Sequence, residues 1–343
     1  MILYLGNKLS KHGFTPTSVE TLGPKLEGMD FVVVTRSSKR NILLRVLDML
    51  YAVWKFKKQQ PVVLIDTYST SAFWYAYASA ILCGILKLKY ISILRGGDLP
   101  FRLDKSPGVS GRLFNNSFAN VAVSGYLHHE FKSRNMPVIT VHNYIELENY
   151  PFTVRSKIQP RLLWVRAFHK IYNPVLAVKV FKTLKENYPG ATLCMVGPDK
   201  DGSLNECKKI SKEWQLDVTF TGRLTKPEWI ALSKDYDIFI NTTDVDNTPV
   251  SVMEAMALGM PVVTTNAGGI PFLFDTGTDG IMVNKNNIDE MTTAIIDLVR
   301  DPLKTESISN SARLKAKSWD WKVIGPQWKK LLESAGGKTD VHP

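Results

Sequence analysis

Short apolar runs recur along the chain, separated by stretches whose apolar residues return every three or four positions. The runs open at 2–5, 31–35, 62–65, 91–94, 121–123 and 139–141. A second series follows at 162, 192–196, 218–220, 238–240, 262–264 and 281–283. Runs that are apolar on both alternating faces suit strands buried on both sides, and helical stretches between them supply the crossovers of parallel sheets. The pattern predicts an α/β protein throughout. Thr17-Ser-Val-Glu20 opens one of the helices as a capping box. Polar residues and Pro151 interrupt the alternation near 147–156, which places a domain boundary there and gives domains over 1–150 and 151–320. Ser318-Trp-Asp-Trp321 signals a turn into a last helix over 321–335, and a tail over 336–343 is expected to be disordered.

Residues 244–270 carry the densest chemical signal. They read as loop, short helix, strand and loop. Thr248 is expected as the N-cap and Pro249 as the first helical residue, where a missing N–H costs nothing. Gly259 ends the helix, 261–265 is a buried strand, and Gly268-Gly269 makes a permissive turn. Asp246 and Glu254 bracket the helix N-terminus. Free N–H groups and the positive dipole end attract a diphosphate, while carboxylates accept hydrogen bonds from sugar hydroxyls. That combination suits a sugar nucleotide.

The spacing from Asp246 to Glu254, followed by Ala-Met-Ala-Leu-Gly259-Met-Pro-Val-Val and Gly268-Gly-Ile-Pro271, resembles the E-x7-E signature of family 4 retaining glycosyltransferases, the group 1 glycosyltransferases. Leu162-Leu-Trp-Val-Arg166 is similar to the strand and phosphate-binding Arg that open their donor domain, and Val218-Thr-Phe-Thr-Gly-Arg223 to the strand and turn beside the nucleobase. Asp235-Tyr-Asp-Ile-Phe-Ile-Asn241 resembles the strand leading into the signature, and Ala119-Asn-Val-Ala-Val-Ser124 and Val141-His-Asn-Tyr-Ile145 the end of the acceptor domain and the hinge. The resemblance implies a GT-B architecture, two Rossmann-like domains with parallel sheets facing a central cleft. The N-terminal domain would bind the acceptor and the C-terminal domain the donor, with the terminal helix crossing back to the first.

It further implies a metal-independent hexosyltransferase that moves a sugar from a nucleotide diphosphate, expected to be UDP, to a hydroxyl of a growing glycan of lipid-linked polysaccharide, O-antigen or capsule type. No cofactor is expected, the nucleotide-sugar being a substrate. The implied donor site comprises Arg166, Lys170, Gly222, Arg223, Asp246, Thr248, Val250, Ser251 and Glu254. The acceptor side comprises Gly6, Arg95, Gly96, Gly97 and Asp98. Arg166, Asp246 and Arg95 would carry catalysis. Four positions depart from the family pattern. Asp246 stands where Glu is usual, one methylene shorter. Lys170 comes one position early for the phosphate-clamping Lys, and Tyr172-Asn173 fill the usual Lys-Gly place. Arg95 takes the place of a sugar-facing His. Pro249 replaces a Gly, leaving Val250 and Ser251 as backbone donors. A GT-B nucleotide-sugar epimerase and a catalytically silent partner-binding subunit are the alternatives.

Composition and charge narrow the field. The 343 residues, 44% hydrophobic, can build two ordinary domains. The first loop, Gly6 to Gly13, lacks the G-x-G-x-x-G fingerprint, which argues against a dinucleotide oxidoreductase. Asp235-Tyr-Asp237 and Asp244-Val-Asp246 have D-x-D spacing but are not expected to hold a metal. Cys83, Cys194 and Cys207 read as buried free thiols. Met1-Ile-Leu-Tyr-Leu-Gly6 lacks the basic start of a signal peptide and reads as a strand. The apolar segment 72–86 is too short for a span and lies between two strands, so a buried crossover helix is expected. Net charge is +11, and residues 1–150 hold 18 Lys/Arg against 10 Asp/Glu. No nucleic-acid recognition module accompanies that charge. A cytoplasmic enzyme docking peripherally on an anionic membrane, the inner face of the plasma membrane, is expected, with Lys55, Lys57 and Lys58 next to the apolar Leu50 and Trp54; the alternative is a helix over 42–54 with Leu43, Val46, Leu47, Leu50 and Trp54 inside and its lysines merely solvated.

Overall fold

The computed structural model describes residues 1–14 and 16–336. They divide into two compact units, one of Met1–Asn143 joined by the chain from Lys322 onward, the other Tyr144–Trp321. Among the described residues the strands form two parallel sheets of six.

The first unit alternates strand and helix from its start: β1 (Ile2–Leu5), α1 (Ser18–Glu27), β2 (Val33–Arg36), α2 (Ile42–Phe56), β3 (Val62–Thr67) and α3 (Phe73–Ile85). It continues with β4 (Tyr90–Leu94), α4 (Leu99–Lys105), α5 (Pro107–Phe114), β5 (Ala119–Ala122), α6 (Gly125–Ser133) and β6 (Ile139–Thr140). The sheet order is β2-β1-β3-β4-β5-β6. Central strands β1, β3 and β4 are buried along their whole length, whereas β2 at the edge is half-buried. α1 opens as the capping box predicts, with the Glu20 carboxylate accepting from Thr17 N–H at 3.2 Å. The 72–86 segment is α3, seated between β3 and β4, and among the described residues no helix is long and apolar enough to cross a membrane.

The second unit runs β7 (Arg161–Val165), α7 (Pro174–Asn187), β8 (Thr192–Val196), α8 (Ser203–Glu213), β9 (Val218–Gly222) and α9 (Lys226–Leu232). It then adds β10 (Ile238–Asn241), α10 (Val250–Ala257), β11 (Val262–Thr265), β12 (Ile281–Val283), α11 (Ile288–Arg300) and α12 (Pro302–Lys317). Its sheet order is β12-β11-β10-β7-β8-β9. One apolar cluster packs Trp164, Phe168 and Phe181 under α7 and α11, and a second packs Met253, Met256 and Phe274 around α10. The last helix, α13 (Trp321–Ser334), falls with the first unit from Lys322.

Two expectations change, and a third falls outside the described residues. The first unit ends at Asn143, because Ile145 and Tyr150 join the apolar cluster around α10 instead of closing the preceding domain. The tail expected to be disordered lies, past Gly336, outside the described residues. On α2 the buried residues are Met49, Ala52 and Val53, while Leu43 and Leu47 are exposed by 73% and 60%. Of the stripe that the alternative reading turned inward, Leu43, Leu47 and Trp54 face out, while Val46 and Leu50 are half-buried. Cys83, Cys194 and Cys207 are buried and free, as read from the sequence.

Candidate active site

In an open parallel sheet, ligands bind beyond the carboxyl ends of the strands where the strand order reverses. In the second unit that point lies between β7 and β10, neighbours in the sheet although β8 and β9 intervene in sequence. Two loops leave it. One carries Arg166 directly after β7, and the other carries Asp244, Asp246 and Thr248 from β10 into α10.

The Arg166 guanidinium lies against the Asp246 carboxylate, both largely shielded from solvent. The ring of Tyr172 lies 4.3 Å from the guanidinium carbon, a cation–π contact that holds the Arg in place. Burial lowers the Arg166 pKa, opposed by Tyr172. Gly197 allows this packing, since a Cβ there would stand 1.7 Å from the Arg166 carbonyl oxygen. The second loop is fixed from below. Asp244 N–H donates to the Ile171 carbonyl at 2.8 Å, and Thr243 Oγ1 donates to the Val245 carbonyl at 2.9 Å. Gly269 N–H donates to the Asp246 carbonyl at 2.8 Å, and a Cβ at Gly268 would come 2.1 Å from that oxygen.

Helix α10 begins one residue later than expected. Pro249 is its N-cap, with extended backbone at ψ 104, and Val250 is the first helical residue. Lacking an N–H, Pro249 loses nothing as a cap, and its carbonyl accepts from Val252 and Met253 N–H. Thr248 Oγ1 is consequently not the cap. It is buried without a hydrogen-bond partner, as are Ser251 Oγ, Asp244 Oδ1 and Arg166 Nε. Buried polar atoms are nearly always paired, so four orphans beside one switch point set this place apart and leave bonding capacity for a polar group. The first N–H groups of α10, those of Val250 and Ser251, come too early in the helix to find carbonyl partners within it.

Glu254 sits in the first turns of α10 and is 4% exposed. Its Oε1 accepts from Tyr150 Oη at 2.7 Å and pairs with Lys226 Nζ at 2.6 Å. Burial, then the Glu254 charge, pushes the Tyr150 phenol well above its ordinary pKa, so it stays a donor to the carboxylate. Neither Tyr150 nor Lys226 was legible as a partner from spacing.

Residues 149–315, all within the second unit, match the family model described as glycosyl transferases group 1. The chain is 33% identical over 167 residues to the GDP-mannose-dependent alpha-(1-6)-phosphatidylinositol monomannoside mannosyltransferase of Mycolicibacterium smegmatis, covering 46% of this chain and 43% of that one. It is 26% identical over 154 residues to the corresponding monoacylated monomannoside mannosyltransferase of Corynebacterium glutamicum, covering 43% and 40%. The chain thus spans less than half the length of these curated relatives. A crystal structure of Anabaena Alr3699/HepE in complex with UDP superposes with a TM-score of 0.75 over 97% of this chain and 99% of that one, at 17% identity. The fold is GT-B. The family match and the curated relatives establish a likeness to group 1 glycosyl transferases over the second unit.

Of the remaining residues singled out in the sequence, Lys170 lies in the loop after β7, and Gly222 and Arg223 lie at the end of β9, the edge strand. Lys170 is exposed in a short turn, its backbone N–H donating to Asp201 at 2.9 Å. Gly222 ends β9 at φ +70 and leaves open space where a Cβ would be, and Arg223 beside it is exposed. Among the described residues no three His, Cys, Asp or Glu side chains gather as metal ligands.

In the first unit the sheet order reverses between β1 and β3. Gly6 follows β1, and a Cβ there would stand 2.7 Å from Asp66 Oδ2, an atom buried without a partner. Arg95 follows β4 and is only 11% exposed. Its Nε donates to Asp66 Oδ1 at 3.2 Å and its Nη1 to Asn143 at 2.9 Å, while Tyr4 Oη donates to the same Asp66 oxygen at 3.0 Å. Burial raises the Asp66 pKa against the pull of Arg95. Gly96 packs with its Cα against Ser69, where a Cβ would meet the Ser69 nitrogen at 2.6 Å. Asp98 is exposed at the start of α4 and Gly97 is half-buried before it. Asp66 is the residue overlooked here. A lone acid inside Val62-Val-Leu-Ile-Asp-Thr67 was the available signal.

Proposed function

We propose that the protein is a retaining, metal-independent glycosyltransferase that transfers a hexose from a UDP-sugar to a hydroxyl of a growing glycan, of the lipid-linked polysaccharide, O-antigen or capsule type. The observation that carries the reading is the set of buried, partnerless polar atoms on Arg166, Asp244, Thr248 and Ser251 at the second unit's switch point.

In the proposed reaction the bond from the sugar's anomeric carbon to the diphosphate breaks, and the diphosphate leaves with the electron pair. Arg166 and the N–H groups of Val250 and Ser251 stabilise the charge that develops on it. The acceptor oxygen attacks from the face the diphosphate leaves, and its proton passes to a phosphate oxygen, so configuration is kept. Asp246 accepts from a hydroxyl of the donor sugar. Arg166 then exchanges part of its contact with Asp246 for the phosphates, a swap between two oxyanions that leaves the buried cation paired. Glu254 takes the ribose. Tyr150 and Lys226 both use its Oε1, so we assign Oε2 to the ribose hydroxyls. Lys170 is assigned to the phosphates, and Gly222 and Arg223 to the base. On the acceptor side we place Gly6, Arg95, Gly96, Gly97 and Asp98, with Arg95 held in position by Asp66 and Asn143.

A second reading, GDP-mannose as donor, is favoured by the two curated relatives whose names give that dependence. Release of nucleoside diphosphate from UDP-, GDP- and ADP-sugars separates the two. The UDP reading expects turnover with a UDP-sugar in the presence of EDTA, and an anomeric proton coupling in the product that matches the donor. Arg166→Ala should lower kcat by about a hundredfold, the usual cost of one donor to a developing oxyanion. Asp246→Asn should lower turnover while sparing nucleoside diphosphate affinity. Activity lost to EDTA and restored by Mn²⁺ would overturn the metal-independent step. No release from any donor would leave the non-catalytic subunit as the reading.

A further inference from the structure

Helix α2 is apolar nearly all round, which in a soluble domain implies burial on every side. Only one side is covered. Met49, Ala52 and Val53 pack into the first unit's core, and the opposite face exposes Leu43, Leu47, Tyr51 and Trp54. These four follow helical spacing and form one stripe along the helix. Right-handed crossovers from β2 to β3 and from β3 to β4 put α2 and α3 side by side on one face of the sheet, where they pack together. The outer side of α3 continues the pattern, with Trp74, Ile81 and Ile85 exposed at helical spacing. Scattered exposed apolar residues are ordinary, but two adjacent helices with contiguous apolar outer faces mark an interaction surface.

Charge identifies the occupant. Residues 36–58 hold seven Lys/Arg and one acid, Asp48, which pairs with Arg36 at 4.0 Å. Lys39 and Arg40 stand exposed before α2, and Lys55 and Lys58 stand exposed at and after its end. Lys57 Nζ lies 4.7 Å from the Trp54 ring centroid, and the Tyr51 and Trp54 rings stack at 6.1 Å. Two copies meeting through this face would crowd like charges together. A surface of negative headgroups over hydrocarbon would complement both the basic ends and the apolar stripe, and Trp and Tyr favour that boundary. We propose that the outer faces of α2 and α3 lie in the headgroup layer of an anionic lipid bilayer, with Leu47 and Trp54 inserted among the acyl chains. This goes beyond docking through lysines alone, because the inserted apolar face makes the larger contribution. It rests on the first unit only and is independent of the transfer reading.

Flotation of the full chain with phosphatidylcholine vesicles, with and without phosphatidylglycerol, tests it. Wild type should float with the anionic vesicles, and added salt should reduce the bound fraction. Leu47→Glu with Trp54→Glu should lower the partition coefficient at least tenfold at every salt concentration. Lys55→Glu with Lys58→Glu should lower it about tenfold at low salt and less at high salt. All four side chains are exposed, so circular dichroism melting should leave Tm unchanged in both variants, and donor hydrolysis in solution should persist. Equal flotation with neutral and anionic vesicles, or none with either, overturns the proposal. So does sedimentation showing a dimer that the Leu47→Glu, Trp54→Glu variant dissociates, since a second copy would then cover the face.

Discussion

Arg166 is a cation taken out of water and kept there by two neighbours, the Tyr172 ring and the Asp246 carboxylate. In the proposed function its desolvation has already been met in folding when the diphosphate arrives, and only the identity of its oxyanion partner changes. Glu254 has a comparable place on the opposite side of the helix start, fixed by Tyr150 and Lys226. Glu254→Gln removes the charge from a buried acceptor, which costs roughly 1.5–3 kcal/mol of ligand binding. Calorimetry should show nucleoside diphosphate affinity about tenfold weaker or more, and unchanged affinity would remove Glu254 from the site. Gly268 serves the loop rather than the ligand. At φ +55, with the Asp246 carbonyl oxygen 2.1 Å from where its Cβ would be, it admits no side chain without moving Asp246. Gly268→Ala should therefore lower unfolding free energy by at least about 1–2 kcal/mol in denaturant titration, with turnover falling alongside.

Among the elements, the strands are where reading the sequence succeeds most fully. The apolar runs at 62–65 and 238–240 are β3 and β10, buried on both faces, because a strand covered on both sides leaves no polar position to blur the pattern. The loop, helix and strand over 244–265 were also legible, since α10 is short, ends near Gly259 and feeds directly into β11. Its start was misplaced by one residue, a shift that turns Thr248 from a cap into an unpaired hydroxyl. Periodicity could not choose a face for α2. When nearly every position is apolar, several stripes satisfy the same spacing, and only packing decides between Met49 and Leu47 as the inner residue. Met49→Ala should cost about 2–5 kcal/mol of stability, whereas Leu43→Ser should stay within about 0.5 kcal/mol. Equal losses in thermal or urea unfolding would mean that α2 is turned the other way. Arg166 was legible because it follows β7 directly and Asp246 because of its spacing from Glu254, and the structure brings the two side chains together. Tyr150 was not, because its bond to Glu254 joins residues 104 positions apart and no local pattern encodes it.

At the scale of the molecule the two units carry different chemistry. The second unit contains the whole of the family match and the partnerless polar atoms of Arg166, Asp244, Thr248 and Ser251, and its charge is nearly balanced, 21 Lys/Arg against 22 Asp/Glu over 144–321. The first concentrates positive charge, a buried Tyr4–Asp66–Arg95 network at its strand ends, and the exposed apolar faces of α2 and α3. Taken together, the two proposals assign the nucleotide to the second unit and the lipid surface to the first, a consistent division of labour for glycan extension. The central claim is that the switch point between β7 and β10 holds the diphosphate of a sugar donor. Titration calorimetry of UDP, GDP and uridine into wild type and Arg166→Ala tests it most directly. The account predicts that wild type binds UDP well above uridine, and that Arg166→Ala weakens UDP at least tenfold while leaving uridine unchanged. Tight GDP and weak UDP binding, with the same Arg166 dependence, would keep the site and change the base. Nucleoside diphosphate affinity that is absent, or identical in the two proteins, would contradict it.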